Sequence, residues 1–169
     1  MHPAHKLVVE TEYPELFADN PHCDWATNLH LKTSRRHVRP KYQILPEKTD
    51  SLYGQLFRCI GSAEQSGAPQ VFLRDTELQS ARERFGTDYL CICPAGKQGF
   101  AGNRKEWGVD RFQQLVTQAD DLRFVQIGVS RDQLLEGVVD ARGKSLRESL
   151  AVLANARCFV GLEGGLMHF

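Results

Sequence analysis

The chain lacks long hydrophobic runs, an excess of either charge and an even set of cysteines, and each absence removes a class of protein. Crossing a bilayer takes about 20 consecutive apolar residues. The best stretch here, Leu150 to Leu162, is interrupted by Asn155 and Arg157. The opening Met-His-Pro-Ala-His-Lys-Leu-Val-Val-Glu has no apolar run of signal-peptide length. Lys plus Arg number 21 and Asp plus Glu number 21, so no global field argues for nucleic acid or a membrane, and any anion binding must be local. Five cysteines, mostly inside apolar runs, suit a reducing compartment better than a disulfide framework. These features point to a cytoplasmic protein.

Several chemical signatures are missing too. No GxGxxG follows a strand-like run, and Gly96-Lys97 is followed by Gln98 rather than the Ser or Thr of a phosphate-binding P-loop. The six histidines show no HExxH arrangement, and Cys91 and Cys93 have no second pair at ligand spacing. Two buried structural thiols are therefore expected, with no metal site.

What is present is a globular composition, 41% hydrophobic and 25% charged over 169 residues, enough for one full domain or two small ones. Lys6 to Glu10 reads as a strand, Tyr13 to Phe17 as a short helix with Pro14 in its first turn, and residues 24 to 31 as another strand. Ser51 to Ile60 has a helical period. The Gly-, Ser- and Ala-rich stretch 61 to 69 looks like a connection between two lobes, which places domains at 1–68 and 69–169.

Beyond it the pattern is regular. A helix opens at Asp75 and closes at Gly86, and Tyr89 to Cys93 is a continuous apolar strand. Val109 to Ala119 is an amphipathic helix and Arg123 to Ile127 a strand. A short helix is expected over 133 to 136, then a short strand at Val138-Val139. Ser145 and Glu148 form a capping box opening another helix, and Cys158 to Leu162 reads as a final buried strand. Alternating strands and helices with short connections indicate an α/β fold with a parallel sheet. Ligands in such sheets bind beyond the carboxyl ends of the strands.

Three loops lie there. Residues 94 to 107 are glycine-rich and basic: Gly96, Gly99 and Gly102 permit close backbone approach, and Lys97, Arg104 and Lys105 supply charge. In Gly161-Leu-Glu-Gly-Gly-Leu-Met-His168, expected to open a helix, Gly164 and Gly165 leave amides free for an anion while Glu163 accepts hydroxyl hydrogen bonds. A phosphorylated, polyhydroxylated ligand such as a nucleoside-diphosphate sugar meets both demands; a tight turn with a surface glutamate is the plainer alternative. In the third loop, 128 to 132, Asp132 either bonds a ribose or sugar hydroxyl or caps the helix expected at Gln133.

Four segments, in this order, carry a family resemblance. They are Lys6-Leu-Val-Val-Glu-Thr-Glu-Tyr-Pro-Glu-Leu-Phe17 with Asn20-Pro21; Lys105-Glu-Trp107 before Arg111-Phe112; Asp140-Ala-Arg-Gly-Lys-Ser-Leu-Arg-Glu148; and Glu163-Gly-Gly-Leu-Met-His168. Together they resemble glycosyltransferase family 9, the ADP-heptose:lipopolysaccharide heptosyltransferases. Gly108 stands where that family's Lys-x-Trp-Pro segment has proline. Glu163 and Gly164 stand where its Asp-Ser-Gly-Pro-Met-His motif has aspartate and serine.

The resemblance implies a GT-B architecture of two Rossmann-like lobes with parallel sheets, both incomplete in this chain. It implies inverting transfer, with no metal or other cofactor, from a nucleotide-diphosphate sugar, ADP-linked and heptose-like, to a lipopolysaccharide or other cell-surface glycan. It places Lys105, Asp132, Glu163, Gly164, Gly165, Met167 and His168 at the donor, with His168 orienting the turn, and Gly96, Lys97 and Arg104 beside its phosphates. The family's acid–base residue lies in a loop expected before Met1, so no catalytic residue is assigned and the chain is expected to be an inactive fragment. The basic run Lys32 to Lys41 is either a solvated loop or a peripheral contact with the inner membrane face. A non-catalytic nucleotide- or partner-binding remnant is the second reading, and a nicotinamide-dependent enzyme the third.

Overall fold

The computed structural model describes residues 7–29, 38, 52–61, 70–96 and 105–169. Two compact units divide the chain: Met1–Asn28 with Gln70–Phe169, and Leu29–Pro69. Within the second lies helix α1, Leu52–Cys59.

The first unit holds two parallel sheets. Strands β1 (Val8–Glu10) and β2 (Trp25–Thr27) pair through Val8 with Trp25, Val9 with Ala26 and Glu10 with Thr27. Between them Pro14–Phe17 forms a 3-10 turn, as the proline leads one to expect. The second sheet comprises β3 (Leu90–Cys93), β4 (Phe124–Gln126), β5 (Val139–Asp140) and β6 (Cys158–Gly161), in the spatial order β5-β4-β3-β6 with every pair parallel. Chain order therefore runs outward from β3 to β5 and then returns to the other side of β3. That reversal makes the carboxyl ends of β3 and β6 a topological switch point, where open α/β sheets accommodate ligands.

Three helices cover the sheet: α2 (Asp75–Phe85), α3 (Val109–Gln118) and α4 (Leu146–Ala154). Alternation along the strands assigns them to opposite faces. Cys91, Cys93, Val125 and Ile127 pack with Ala81, Phe85, Ala151 and Val152 of α2 and α4. Ile92 and Phe124 pack with Phe112 and Val116 of α3 and with Leu135. Each of these large side chains contributes about 1.5–3 kcal/mol when fully buried, so burial on both faces accounts for the unbroken apolar runs in β3 and β4.

Helix starts and stops follow local chemistry. The Ser145 hydroxyl accepts from the Glu148 amide at 3.3 Å while Glu148 accepts from the Ser145 amide at 3.0 Å, completing the capping box. Gly86 ends α2. Gly108 precedes α3 with φ 97°, a value that a proline's ring, fixed near −65°, cannot reach.

Three sequence expectations are corrected. Residues 133–136 are not helical, because two glutamine side chains hold that segment as a strand partner would. Gln126, fully buried in β4, donates through Nε2 to the Gln133 carbonyl at 2.8 Å and accepts from the Leu135 amide at 2.9 Å. Gln113 of α3 does the same for Glu136, at 3.2 Å and 2.8 Å. With these backbone groups engaged laterally, helical hydrogen bonds do not form. Secondly, β6 is half-buried rather than buried, having β3 as its one strand neighbour in the described sheet. Thirdly, the turn after β6 opens a four-residue 3-10 helix, Gly165–His168, too short to build an α-helical dipole.

Candidate functional site

Because all four strands of the larger sheet run parallel, the segments following β3, β4, β5 and β6 leave from one edge. The turn after β6 is aimed by close packing. A Cβ on Gly161 would lie 2.5 Å from Phe159 Cζ and 2.9 Å from the Cys93 carbonyl oxygen, so only glycine lets β6 approach β3 there. Gly164 is fully extended, and its carbonyl accepts from the Met167 amide at 3.1 Å. Glu163 stands on this turn with its side chain half-exposed.

Lys105 meets it from the loop that returns after β3. Two residues on, the Trp107 ring packs edge-on against Phe112, centroids 4.9 Å apart. Phe112 is a core residue, so this contact anchors the backbone beside Lys105. Lys105 Nζ forms an ion pair with Glu163 Oε2, and His168 Nε2 lies 3.9 Å from Glu163 Oε1. The Lys105 hydrogen bond, followed by its charge, holds the Glu163 carboxyl below the ordinary carboxylate range. Two sequence-predicted residues, 58 positions apart in numbering (163 − 105), are thus joined across the β3–β6 switch point, with His168 alongside.

Asp132 is engaged locally. Its Oδ2 accepts from the Val129 amide at 2.9 Å, closing a turn rather than capping a helix. The Asp132 carbonyl accepts from Arg142 Nη1, and Arg142 in turn grips Asp140 through Nε–Oδ1 and Nη2–Oδ2 contacts of 2.9 Å each. That pair holds the Asp140 carboxyl down at about 2. Gly164, Gly165 and Met167 shape the Glu163 turn, and Met167 is exposed. Gly96 lies just past β3. Lys97 and Arg104 fall outside the described residues, as does most of the basic run 32–41.

Cys91 and Cys93 face one side of β3 in the core. Burial pushes their thiols up, to about 12 and about 11, which makes them inert packing groups. Among the described residues no group of three or more His, Cys, Asp or Glu could hold a metal ion, and no helix is long and apolar enough to cross a membrane.

Sequence reasoning missed two residues that frame this edge. Arg147 was legible only as part of the capping-box segment, yet its buried guanidinium bonds Glu77 of α2 and the carbonyls of Glu15 and Phe72. Gln126 had one visible signal, a lone amide within the apolar run Arg123 to Ile127.

No family model matches the sequence, and no curated protein matches it. Solved structures do. The E. coli ADP-heptose LPS heptosyltransferase II superposes with a TM-score of 0.51 at 19% identity, over 65% of this chain and 38% of that one. A glycosyl transferase family 9 protein from Veillonella parvula DSM 2008 superposes with a TM-score of 0.56 at 19% identity, over 75% of this chain and 42% of that one. The chain thus shares the mixed α/β fold with parallel sheets of these glycosyltransferases, and spans roughly two fifths of their length. At this identity the likeness speaks for the fold.

Proposed function

We propose that the chain forms the donor side of a glycosyltransferase of the GT-B type, binding a nucleoside-diphosphate sugar beyond the carboxyl ends of β3 and β6. The observation that carries this is the convergence of Lys105 and Glu163 at the switch point. A cation beside a carboxylate suits a ligand that is anionic at one end and rich in hydroxyls at the other. The fold likeness to a heptosyltransferase and a family 9 glycosyl transferase supports the same reading. On it, the donor is an ADP-linked, heptose-like sugar and the acceptor a lipopolysaccharide or related glycan, met on the cytoplasmic side with peripheral contact to the membrane face.

The chemistry follows from charge. As the anomeric carbon is attacked, negative charge gathers on the departing diphosphate, and a fixed cation lowers that barrier without reorganising. Lys105 takes this role, joined by Lys97 and Arg104. Glu163 accepts hydrogen bonds from the sugar hydroxyls, with one methylene more reach than the family's aspartate. His168 orients the turn. Transfer is inverting and metal-independent, and no residue of this chain is assigned as the base that deprotonates the acceptor. A retained binding half without turnover is the second form of the proposal, and it predicts the same ligand.

Calorimetric titration with ADP, UDP and NAD tests the reading. ADP binding that is weakened by Lys105→Ala is the expected result. Binding of NAD alone, or ADP binding indifferent to Lys105→Ala, would overturn it. Turnover by the 169-residue chain with a panel of nucleotide sugars would contradict the inactive form.

A further inference from the structure

We infer that the Lys105–Glu163 ion pair is a resting-state latch, which an anion alone opens poorly and an anion carrying hydroxyl groups opens well. This rests on the proposed donor site and concerns how that site discriminates between its ligands.

The two partners are held from different directions. Lys105 is anchored through Trp107 against core Phe112. Glu163 is aimed by the Gly161 approach to Cys93 and by the Met167-to-Gly164 hydrogen bond. Their contact therefore bridges the two loops that flank the switch point, in the place where the ligand's charge has to enter. Paired, one ammonium and one carboxylate present no net charge to an incoming anion.

A bare diphosphate faces two penalties. It has to take the Lys105 ammonium from Glu163, and it then lies beside a released carboxylate that repels it. A diphosphate with an attached polyol faces the first penalty and offsets the second, because its hydroxyls donate to the freed Glu163. The pair thus couples recognition of the two ends of one ligand. After transfer the diphosphate no longer carries hydroxyls at that position, so Glu163 again competes for Lys105 and favours release.

The test is calorimetry on the 169-residue chain and its Glu163→Gln and Lys105→Ala variants, with inorganic pyrophosphate, ADP and ADP-glucose as probes. Both side chains are about half-exposed, so each variant is expected to retain the wild-type circular dichroism. Glu163→Gln is expected to bind pyrophosphate and ADP about three- to ten-fold more tightly at low salt, a gain that shrinks as added salt screens the pair. The same variant is expected to lose the wild-type preference for ADP-glucose over ADP. Unchanged or weaker pyrophosphate binding by Glu163→Gln, while Lys105→Ala still weakens it, overturns the latch and leaves the donor site standing. Pyrophosphate binding indifferent to Lys105→Ala, or absent from wild type and Glu163→Gln alike, overturns the donor site and the latch together.

Discussion

Arg147 and Glu77 meet as a two-point pair, Arg147 Nε 2.7 Å from Glu77 Oε1 and Arg147 Nη2 2.6 Å from Glu77 Oε2. The remaining guanidinium contacts go to the carbonyls of Glu15 at 3.0 Å, Ala18 at 3.3 Å and Phe72 at 2.9 Å, and to Asp19 Oδ2 at 3.4 Å. One side chain of α4 therefore binds α2, the segment leading into it and the turn between β1 and β2. The planar fork of arginine suits this arrangement, and a lysine ammonium cannot reproduce it.

Arg147→Ala takes the guanidinium from the Glu77 carboxylate, which keeps only the Arg74 amide among its described partners, and removes a donor from the carbonyls of Glu15, Ala18 and Phe72. It is expected to destabilise the fold by about 3 kcal/mol. Arg147→Lys should recover little of that. Urea unfolding followed by circular dichroism measures both, and a loss below about 1 kcal/mol for the alanine variant would contradict the assignment of Arg147 as the hub.

The same pair makes a pH prediction. Arg147 bonding holds the Glu77 carboxyl at about 2, against an ordinary 4.5. A folded-state value depressed in this way adds stability that is complete above the unfolded value and lost as pH falls through the folded one. The stability gap between wild type and Glu77→Gln should be full at pH 7 and narrow steadily from about pH 4.5 towards about pH 2. Parallel urea titrations at descending pH read the gap, and a constant difference would rule the linkage out.

Gly161→Ala should be costly although alanine is small. Its Cβ would press on Phe159 Cζ at 2.5 Å and on the Cys93 carbonyl oxygen at 2.9 Å, and overpacking of this kind costs about 1–3 kcal/mol. Adding Phe159→Leu removes the ring but not the carbonyl, so partial rescue is expected. Thermal melts of the two single variants and the double variant give the coupling; full additivity would count against direct contact.

Gln126→Ala leaves the Leu135 amide and the Gln133 carbonyl without their partner, with an expected loss of about 2 kcal/mol. Hydrogen exchange offers a sharper check. The Leu135 amide should exchange much faster in the variant, whereas amides in β3 change only with global stability. Unaltered Leu135 protection would show that the clamp is not what holds residues 133–136.

How much of this was legible in the sequence varies by element. Ser145 with Glu148, the amphipathic spacing of α3 and the apolar run of β3 signal themselves within a few residues, because caps, helical period and strand burial are local or periodic. Of the strand expected over 24–31, Trp25–Thr27 is extended and pairs with β1, while residues 30 and 31 lie outside the described residues. The helix expected over 133–136 does not form. Its own residues permit a helical turn, and two side chains outside the segment decide otherwise: Gln126, 7 residues before Gln133 on β4, and Gln113, 23 residues before Glu136 on α3.

The candidate site divides along the same line. Composition and motif order selected Lys105 and Glu163 individually, and the glycines around 163 marked a turn. Their pairing required the order β5-β4-β3-β6, which brings the ends of β3 and β6 together. Asp132 had an equally plausible sequence, and the fold directed its carboxylate to the Val129 amide.

By itself, then, the sequence determined an α/β chain with a parallel sheet, the strand β3 and the helices α2, α3 and α4, and offered candidate residues for an anion or a hydroxyl. Those are properties of neighbours, carried by backbone preference and burial period. Only the tertiary structure decided that Lys105 would neutralise Glu163, that Asp132 would close a turn, and that Arg147 would join segments 70 residues apart to meet Glu77. Such contacts depend on which strands lie side by side, and strand order is set by packing of the whole sheet rather than by any local run of residues.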